Sequence, residues 1–301
     1  MIYTLTLNPS IDYHIWVAPF QEGQINRAQK EWKAAGGKGI NVSKVLQILG
    51  MDSTVLGYVG GFTGEFIQQE LEQTGVVHQL IPISGESRIN VKIKAERETD
   101  ISGVSPAIPA EAVEQLWAQL DRLQAGDYLV LAGSVPESLP SDIYQTIMNK
   151  LGPKGVHLVL DAKGKALRSG LSERPFLIKP NHHELGELFE VEIRTPQEAV
   201  AYGRKAVELG AQNVIVSLAE QGAVFVNRQE TYIARIPTGK LVNSIGAGDS
   251  VVAGFLYAYN TGSVVKDAFS FAVAAGSATA LSEGFCTPEK IAELLPQITI
   301  L

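Results

Sequence analysis

Tyr128-Leu129-Val130-Leu131-Ala132-Gly133-Ser134 runs five apolar residues directly into a glycine and a serine. A short apolar run with no polar alternation, closed by a turn residue, is the pattern of a strand buried on both faces. Similar runs occupy 2–7, 54–59, 157–160, 176–178 and 214–216, and stretches with helical spacing separate them at 65–73, 110–123, 142–150 and 196–209. Strands alternating with helices predict an α/β fold with a mainly parallel central sheet. The polar residues then fall into register with function. Asn8 and Asp12 follow the first strand, and Ser134, Asp161, Asn181 and Ser217 each follow a later one. Open α/β sheets bind ligands along the carboxyl edge of their strands, so one cleft can collect all six.

Asn243-Ser244-Ile245-Gly246-Ala247-Gly248-Asp249-Ser250 leads into Val251, Val252, Phe255, Leu256 and Tyr259 at the spacing of one helical face. Gly246 and Gly248 let the backbone approach a ligand, and the first N–H groups of a helix have no partner inside it, so this turn can hold an anion. Asp249 beside it can accept the proton of an alcohol that attacks a phosphoryl group held there. The same residue can equally serve as a helix cap after a turn. A second glycine cluster, Ala35-Gly36-Gly37-Lys38-Gly39-Ile40-Asn41-Val42-Ser43, precedes another helical pattern, followed by Gly50 and Gly60. Neither cluster reads as a Walker A loop or a dinucleotide fingerprint.

These two motifs, one near each end, resemble the paired signatures of the PfkB (ribokinase-like) family of carbohydrate kinases. The resemblance continues through Asn8-Pro9-Ser10-Ile11-Asp12, Gly133-Ser134-Val135-Pro136, Lys179-Pro180-Asn181-His182-His183-Glu184 and Ser217-Leu218-Ala219-Glu220-Gln221-Gly222. It implies a three-layer ribokinase-like α/β sandwich over 1–301 as a single domain, with segments 13–33 and 87–102 inserted as a small β lid. Within the family the chain is most similar to the kinases of phosphorylated ketohexoses. The implied reaction is transfer from ATP, with Mg2+, to fructose 1-phosphate, giving fructose 1,6-bisphosphate. Tagatose 6-phosphate, or fructose 6-phosphate, is the alternative acceptor. A catalytically silent sugar-phosphate sensor on the same fold is the rival from another class, against which the intact Asp249 and its glycine turn stand.

The resemblance also distributes roles. Asp249 becomes the base, with the Gly246, Ala247 and Gly248 amides holding the transferring phosphoryl. Asp12, Gly36, Gly37, Asn41, Asn90 and Ser134 fall on the sugar side; Asp and Asn there suit vicinal hydroxyls. Arg27, Lys38 and Arg88 match the basic positions that hold the sugar's own phosphate. Lys179, Asn181, Ser217, Ala219, Gln221, Gly222 and Ser277 border the nucleotide, and Glu184 reaches Mg2+ through water. Asn181 and Glu184 also have the spacing of a capping box. Asn243 stands where ribokinases that bind a monovalent cation commonly carry Asp, a departure that weighs against potassium activation.

In the inserted segments, Arg88, Asn90, Lys92 and Lys94 share one face of a strand while Ile89, Val91 and Ile93 share the other. With the polar face over the substrate, the apolar face is left for a second subunit's lid, which predicts a homodimer. Composition bounds the rest. The 301 residues are 45% hydrophobic and 19% charged, with a net charge of −7. That allows a large core and argues against nucleic acid or an anionic membrane as partner. One cysteine, Cys286, excludes an intrachain disulfide. No apolar run reaches the roughly 20 residues of a membrane span, and a cytoplasmic protein is expected.

Overall fold

A computed structural model describes residues 1–236, 239 and 241–301. The chain opens with strands β1 (Ile2–Thr6), β2 (Ser10–Trp16) and β3 (Lys30–Gly36), helix α1 (Lys38–Ile48), β4 (Ser53–Val59), α2 (Gly61–Gln73) and β5 (Val77–Pro82). The middle carries β6 (Arg88–Lys94), β7 (Thr99–Ile101), α3 (Ala110–Leu120), β8 (Tyr128–Ala132), α4 (Ile143–Leu151), β9 (His157–Asp161) and α5 (Gly164–Gly170). Then come β10 (Leu177–Ile178), α6 (His182–Phe189), α7 (Pro196–Glu208), β11 (Asn213–Ser217), β12 (Ala223–Asn227) and β13 (Thr231–Arg235). Helices α8 (Ala247–Asn260), α9 (Val265–Ala280) and α10 (Pro288–Leu294) precede the closing strand β14 (Thr299–Ile300).

Ten strands form one sheet in the order β14-β13-β12-β11-β10-β9-β8-β1-β4-β5. From β5 to β11 every pairing is parallel; β12, β13 and β14 continue it antiparallel. The parallel strands carry apolar residues at consecutive positions because both faces are covered. Leu129, Leu131, Leu158, Leu160, Ile178, Val214 and Val216 pack into one core with helices α3 to α7. Their alternating neighbours Tyr128, Val130, Ala132, Val159, Leu177 and Ile215 pack into a second core with α1, α8, α9 and α10. Successive side chains point to opposite faces of a strand, so these runs build a helix–sheet–helix sandwich.

The expected strand over 128–132 is reproduced residue for residue. Strand β5 has no counterpart in the sequence reading. It sits at the sheet's edge, half exposed, so neither a continuous apolar run nor strict alternation marks it.

Strands β3, β2, β6 and β7 form a separate four-stranded sheet in that order. Its register pairs Asp12 with Asn90, His14 with Lys92 and Trp16 with Lys94, so these share one face, while Tyr13, Val91, Ile15 and Ile93 share the other. Ile101 pairs with Val91 and joins the apolar face. At the sheet's root that face is covered: Ile11 and Ala35 pack with Ile40, Val59, Ile67 and Leu71 in a third core. Away from β2 and β3 it opens, and Ile89 and Ile101 are 38% and 54% exposed.

Candidate active site

Asp161 closes β9 with its side chain fully buried and holds two lysines from different elements. Lys38 Nζ donates to Asp161 Oδ1 at 2.9 Å, and Lys179 Nζ, which follows β10, lies 3.6 Å from the same oxygen. Burial works to raise the Asp161 carboxyl, but Lys179 and Lys38 outweigh it and hold it below the usual carboxylate range. Lys38 feels the reciprocal effect: burial opposes its charge, yet Asp161, Asp249 and Glu184 keep its ammonium above the ordinary lysine value.

Opposite this cluster, Gly246 caps α8 with φ 77°. A Cβ there would stand 2.5 Å from a ring carbon of Phe285, so only glycine makes this turn without displacing the ring. The first turn closes through Ser250 N–H to Gly246 C=O at 2.8 Å, which leaves the Ala247 and Gly248 amides at an open helix end. Lys179 Nζ would be 3.0 Å from a Cβ on Gly248, so an ammonium flanks those amides. Asp249, 6% exposed, lies in the same turn and accepts from Asn41 Nδ2 at 2.7 Å. Burial, with Asp161 adding to it, pushes the Asp249 carboxyl up to about 6, against the pull of Lys38, Asn41 and Lys179. A buried carboxylate of that basicity, beside helix amides and two ammonium groups, can take a proton from an alcohol attacking a phosphoryl group.

Asn41 belongs to α1, which follows the Gly36–Gly37 turn. A Cβ on Gly36 would come within 2.5 Å of the Asp12 carboxylate, so the backbone passes directly beside it. Asp12 Oδ1 accepts from Ser10 Oγ at 2.8 Å and Asn90 Nδ2 at 2.9 Å, and Asn90 Oδ1 in turn accepts from Gly103 N–H. Asn90 is thus committed to holding Asp12. Arg88 places Nε and Nη2 on the Asn8 carbonyl at 3.3 and 3.1 Å, leaving Nη1 free of that contact. Asn8 Nδ2 bonds Ser105 Oγ and Ser134 Oγ, tying the small sheet's return to the end of β8. A cavity of about 500 Å³ is lined by Asp12 and Asn41 together with His14, Trp32, Lys44 and Phe285.

On the other flank, Asn181 and Glu184 do form a capping box: Glu184 N–H donates to Asn181 Oδ1 at 2.8 Å and Asn181 N–H to Glu184 Oε2 at 2.9 Å. Glu184 Oε1 remains, 4.0 Å from Lys38 Nζ. Asn181 bridges to Ser217 at the end of β11, and the turn through Ala219, Gln221 and Gly222 leads from there to β12. Ser277 is buried on α9, whose Gly276 lies against Val251 and the Ala247 carbonyl.

Lys38 and Arg27 lie apart from Arg88. Lys38, grouped in the sequence reading with Arg27 and Arg88 around a sugar phosphate, instead joins Asp161, Lys179 and Glu184, because α1 points its first side chain at the end of β9. Arg27 is exposed on the 17–29 segment between β2 and β3. Asp161 was placed at the cleft by the sequence, but its pairing with Lys38 and Lys179 was not legible there. Its only signal was an aspartate ending an apolar run.

This sheet edge, with its buried base and cationic rim, has the chemistry of a phosphotransferase acting on a hydroxyl. The pfkB family carbohydrate kinase model matches residues 5–292, and the chain belongs to that family. It is 47% identical to a 1-phosphofructokinase of Bacillus subtilis (strain 168), covering 100% of this chain and 99% of that one. A tagatose-6-phosphate kinase of Staphylococcus epidermidis (strain ATCC 12228 / FDA PCI 1200) is 32% identical over 100% of this chain and 99% of its own. Among solved structures, phosphofructokinase-2 from Escherichia coli in complex with substrates and products superposes with a TM-score of 0.93 at 27% identity, covering 98% of both chains.

Proposed function

We propose that the protein transfers the γ-phosphoryl group of ATP to the 6-hydroxyl of fructose 1-phosphate, yielding fructose 1,6-bisphosphate and ADP. The observation that carries this reading is Asp249: a buried carboxylate raised to about 6, at the open end of α8 and joined to Asn41. The hydroxyl oxygen bonds to the γ-phosphorus as the bond to ADP breaks, and Asp249 receives the hydroxyl proton. The Ala247 and Gly248 amides, with Lys38 and Lys179, offset the charge on the transferring group. Asp12 and Asn41 orient the sugar hydroxyls, and Arg88 meets the sugar's phosphate. The turn through Ser217, Ala219, Gln221 and Gly222, with Asn181 and Ser277, borders the nucleotide.

Magnesium fits this donor set. Among the described residues no three His, Cys, Asp or Glu side chains are grouped to hold a metal directly. Two hard oxygens are nonetheless available: Asp161 Oδ2 is buried without a hydrogen-bond partner, and Glu184 Oε1 lies outside the capping box. Magnesium keeps several waters and uses few protein ligands, so these carboxylates would suit its hydration shell, and the ion would supply charge neutralisation to the triphosphate. The small sheet would act as a lid that excludes water. Its open apolar face favours pairing with the lid of a second copy. The cytoplasm, where ATP is plentiful, is its proposed place of action.

The B. subtilis relative supports fructose 1-phosphate as acceptor, and the S. epidermidis relative keeps tagatose 6-phosphate as the second reading. A coupled assay of ADP release with fructose 1-phosphate, tagatose 6-phosphate, fructose 6-phosphate and ribose decides between them. The expected order of kcat/KM has fructose 1-phosphate first. A higher value for tagatose 6-phosphate overturns the substrate, and ATP turnover with none of the four overturns the reading.

A further inference from the structure

Ala35 sits on β3, an edge strand of the small sheet, opposite Ile11. Its N–H and C=O are both taken by side chains. The N–H donates to Glu70 Oε2 at 2.6 Å, and the carbonyl accepts from Lys44 Nζ at 2.7 Å. Lys44 and Glu70 also form an ion pair with each other, the lysine side chain 8% exposed and the glutamate 22%. Lys44 comes from α1 and Glu70 from α2, so three elements meet at one residue, on the two peptide groups that flank its Cα. An unpaired strand edge ordinarily finds another strand or water. Here an ion pair stands in for that strand.

The next residue gives this contact its consequence. Gly36 runs against Asp12, as its 2.5 Å Cβ approach shows, and Gly37 follows it into α1 and Asn41. Ala35, Lys44 and Glu70 line the same cavity as Asp12 and Asn41. We infer that Lys44 and Glu70 are positioning residues: by clamping both polar groups of Ala35 they set where the Gly36–Gly37 backbone lies relative to Asp12, and so how tightly the sugar is held. Glycine makes this turn free to approach the sugar and also free to wander. The clamp removes the second freedom. Two of the lysine's three donors go to Ala35 and Glu70, so it acts through the turn and not on the reacting atoms.

The inference rests on the sugar-side assignment proposed above, and its test separates the two. Lys44→Met and Glu70→Leu are made singly and together; the double variant leaves no buried charge without a partner, so it keeps the fold where a single variant fails to. Losing charge-assisted hydrogen bonds that order a binding turn raises KM for the sugar phosphate by about tenfold. KM for ATP stays within about twofold, and Lys44→Arg, which keeps a donor for both partners, restores most of the sugar affinity. Hydrogen exchange at the Ala35 amide, read in the protein without substrate, rises in the double variant. Unchanged protection at Ala35 refutes the clamp whatever the substrate proves to be. Faster exchange with an unaltered sugar KM, or with sugar and ATP KM rising together, refutes its role in positioning. Failure of the wild type to phosphorylate any ketohexose phosphate defeats the functional reading and leaves the exchange result standing.

Discussion

Two aspartates share one site and are driven apart. Asp161, held low by two lysines, stays ionised as a fixed anchor, whereas Asp249 is raised to about 6 by burial and by the charge of Asp161. Pairs of carboxyl groups with separated pKa values mark division of labour between structure and proton transfer. The sign of the pH dependence follows. Asp249 accepts a proton only when ionised, so kcat/KM holds steady above about pH 6 and falls about tenfold per pH unit below it. A pH profile under conditions where the chemical step limits turnover checks this. Asp249→Asn lowers kcat by at least about 100-fold with little change in fold, read by single-turnover kinetics beside thermal unfolding. Arg88 presents a different case. Its guanidinium is anchored on the Asn8 carbonyl; with the proposed role at the sugar's phosphate, Arg88→Ala raises KM for the sugar phosphate by about tenfold or more while leaving KM for ATP near the wild-type value. Equal losses for both substrates would contradict that placement.

At the level of elements, the start of α8 and the turn before it act as one unit. Gly246 adopts a left-handed conformation that an L-residue pays about 1–2 kcal/mol to enter, and a methyl group there would also push Phe285 aside. Gly246→Ala should therefore lower the unfolding midpoint and, by rotating the Ala247 and Gly248 amides, reduce kcat more than it raises either KM. Circular dichroism melts and steady-state kinetics on one preparation separate the two effects. Strands were readable wherever burial was two-sided. Residues 128–132 and 214–216 announce strands because no face could be polar, whereas β5 and β14 lie toward sheet edges, and their mixed exposure leaves no such mark. The capping box at Asn181 and Glu184 was readable because it is a local motif, three residues apart.

For the whole molecule, the apolar face of the small sheet is the feature a single chain leaves unfinished. Ile89 and Ile101 remain exposed, with Val91 and Ile93 partly so. Sedimentation velocity at micromolar concentration should show a homodimer, and Val91→Lys should shift it to monomer by placing a charge in the buried face. A wild type that sediments as an active monomer rules the pairing out. How much of the site was legible divides along the same line as the fold. The glycine turns, Asp249 and the polar residues ending each strand could be read directly, since each depends on its immediate neighbours: a helix start, a positive φ, a strand edge. The partnerships could not. Lys38 and Asp161 lie 123 residues apart, and Asn41 and Asp249 lie 208 apart. Sequence by itself determined an α/β fold with a mainly parallel sheet, because apolar period is local, and its two glycine motifs carried the resemblance that implied the sandwich and the kind of chemistry. Only the tertiary structure decided that Lys38 meets Asp161, and that Lys44 and Glu70 hold Ala35. Those choices follow from how α1 and α2 pack against the two sheets, where burial forces every charge to find a partner.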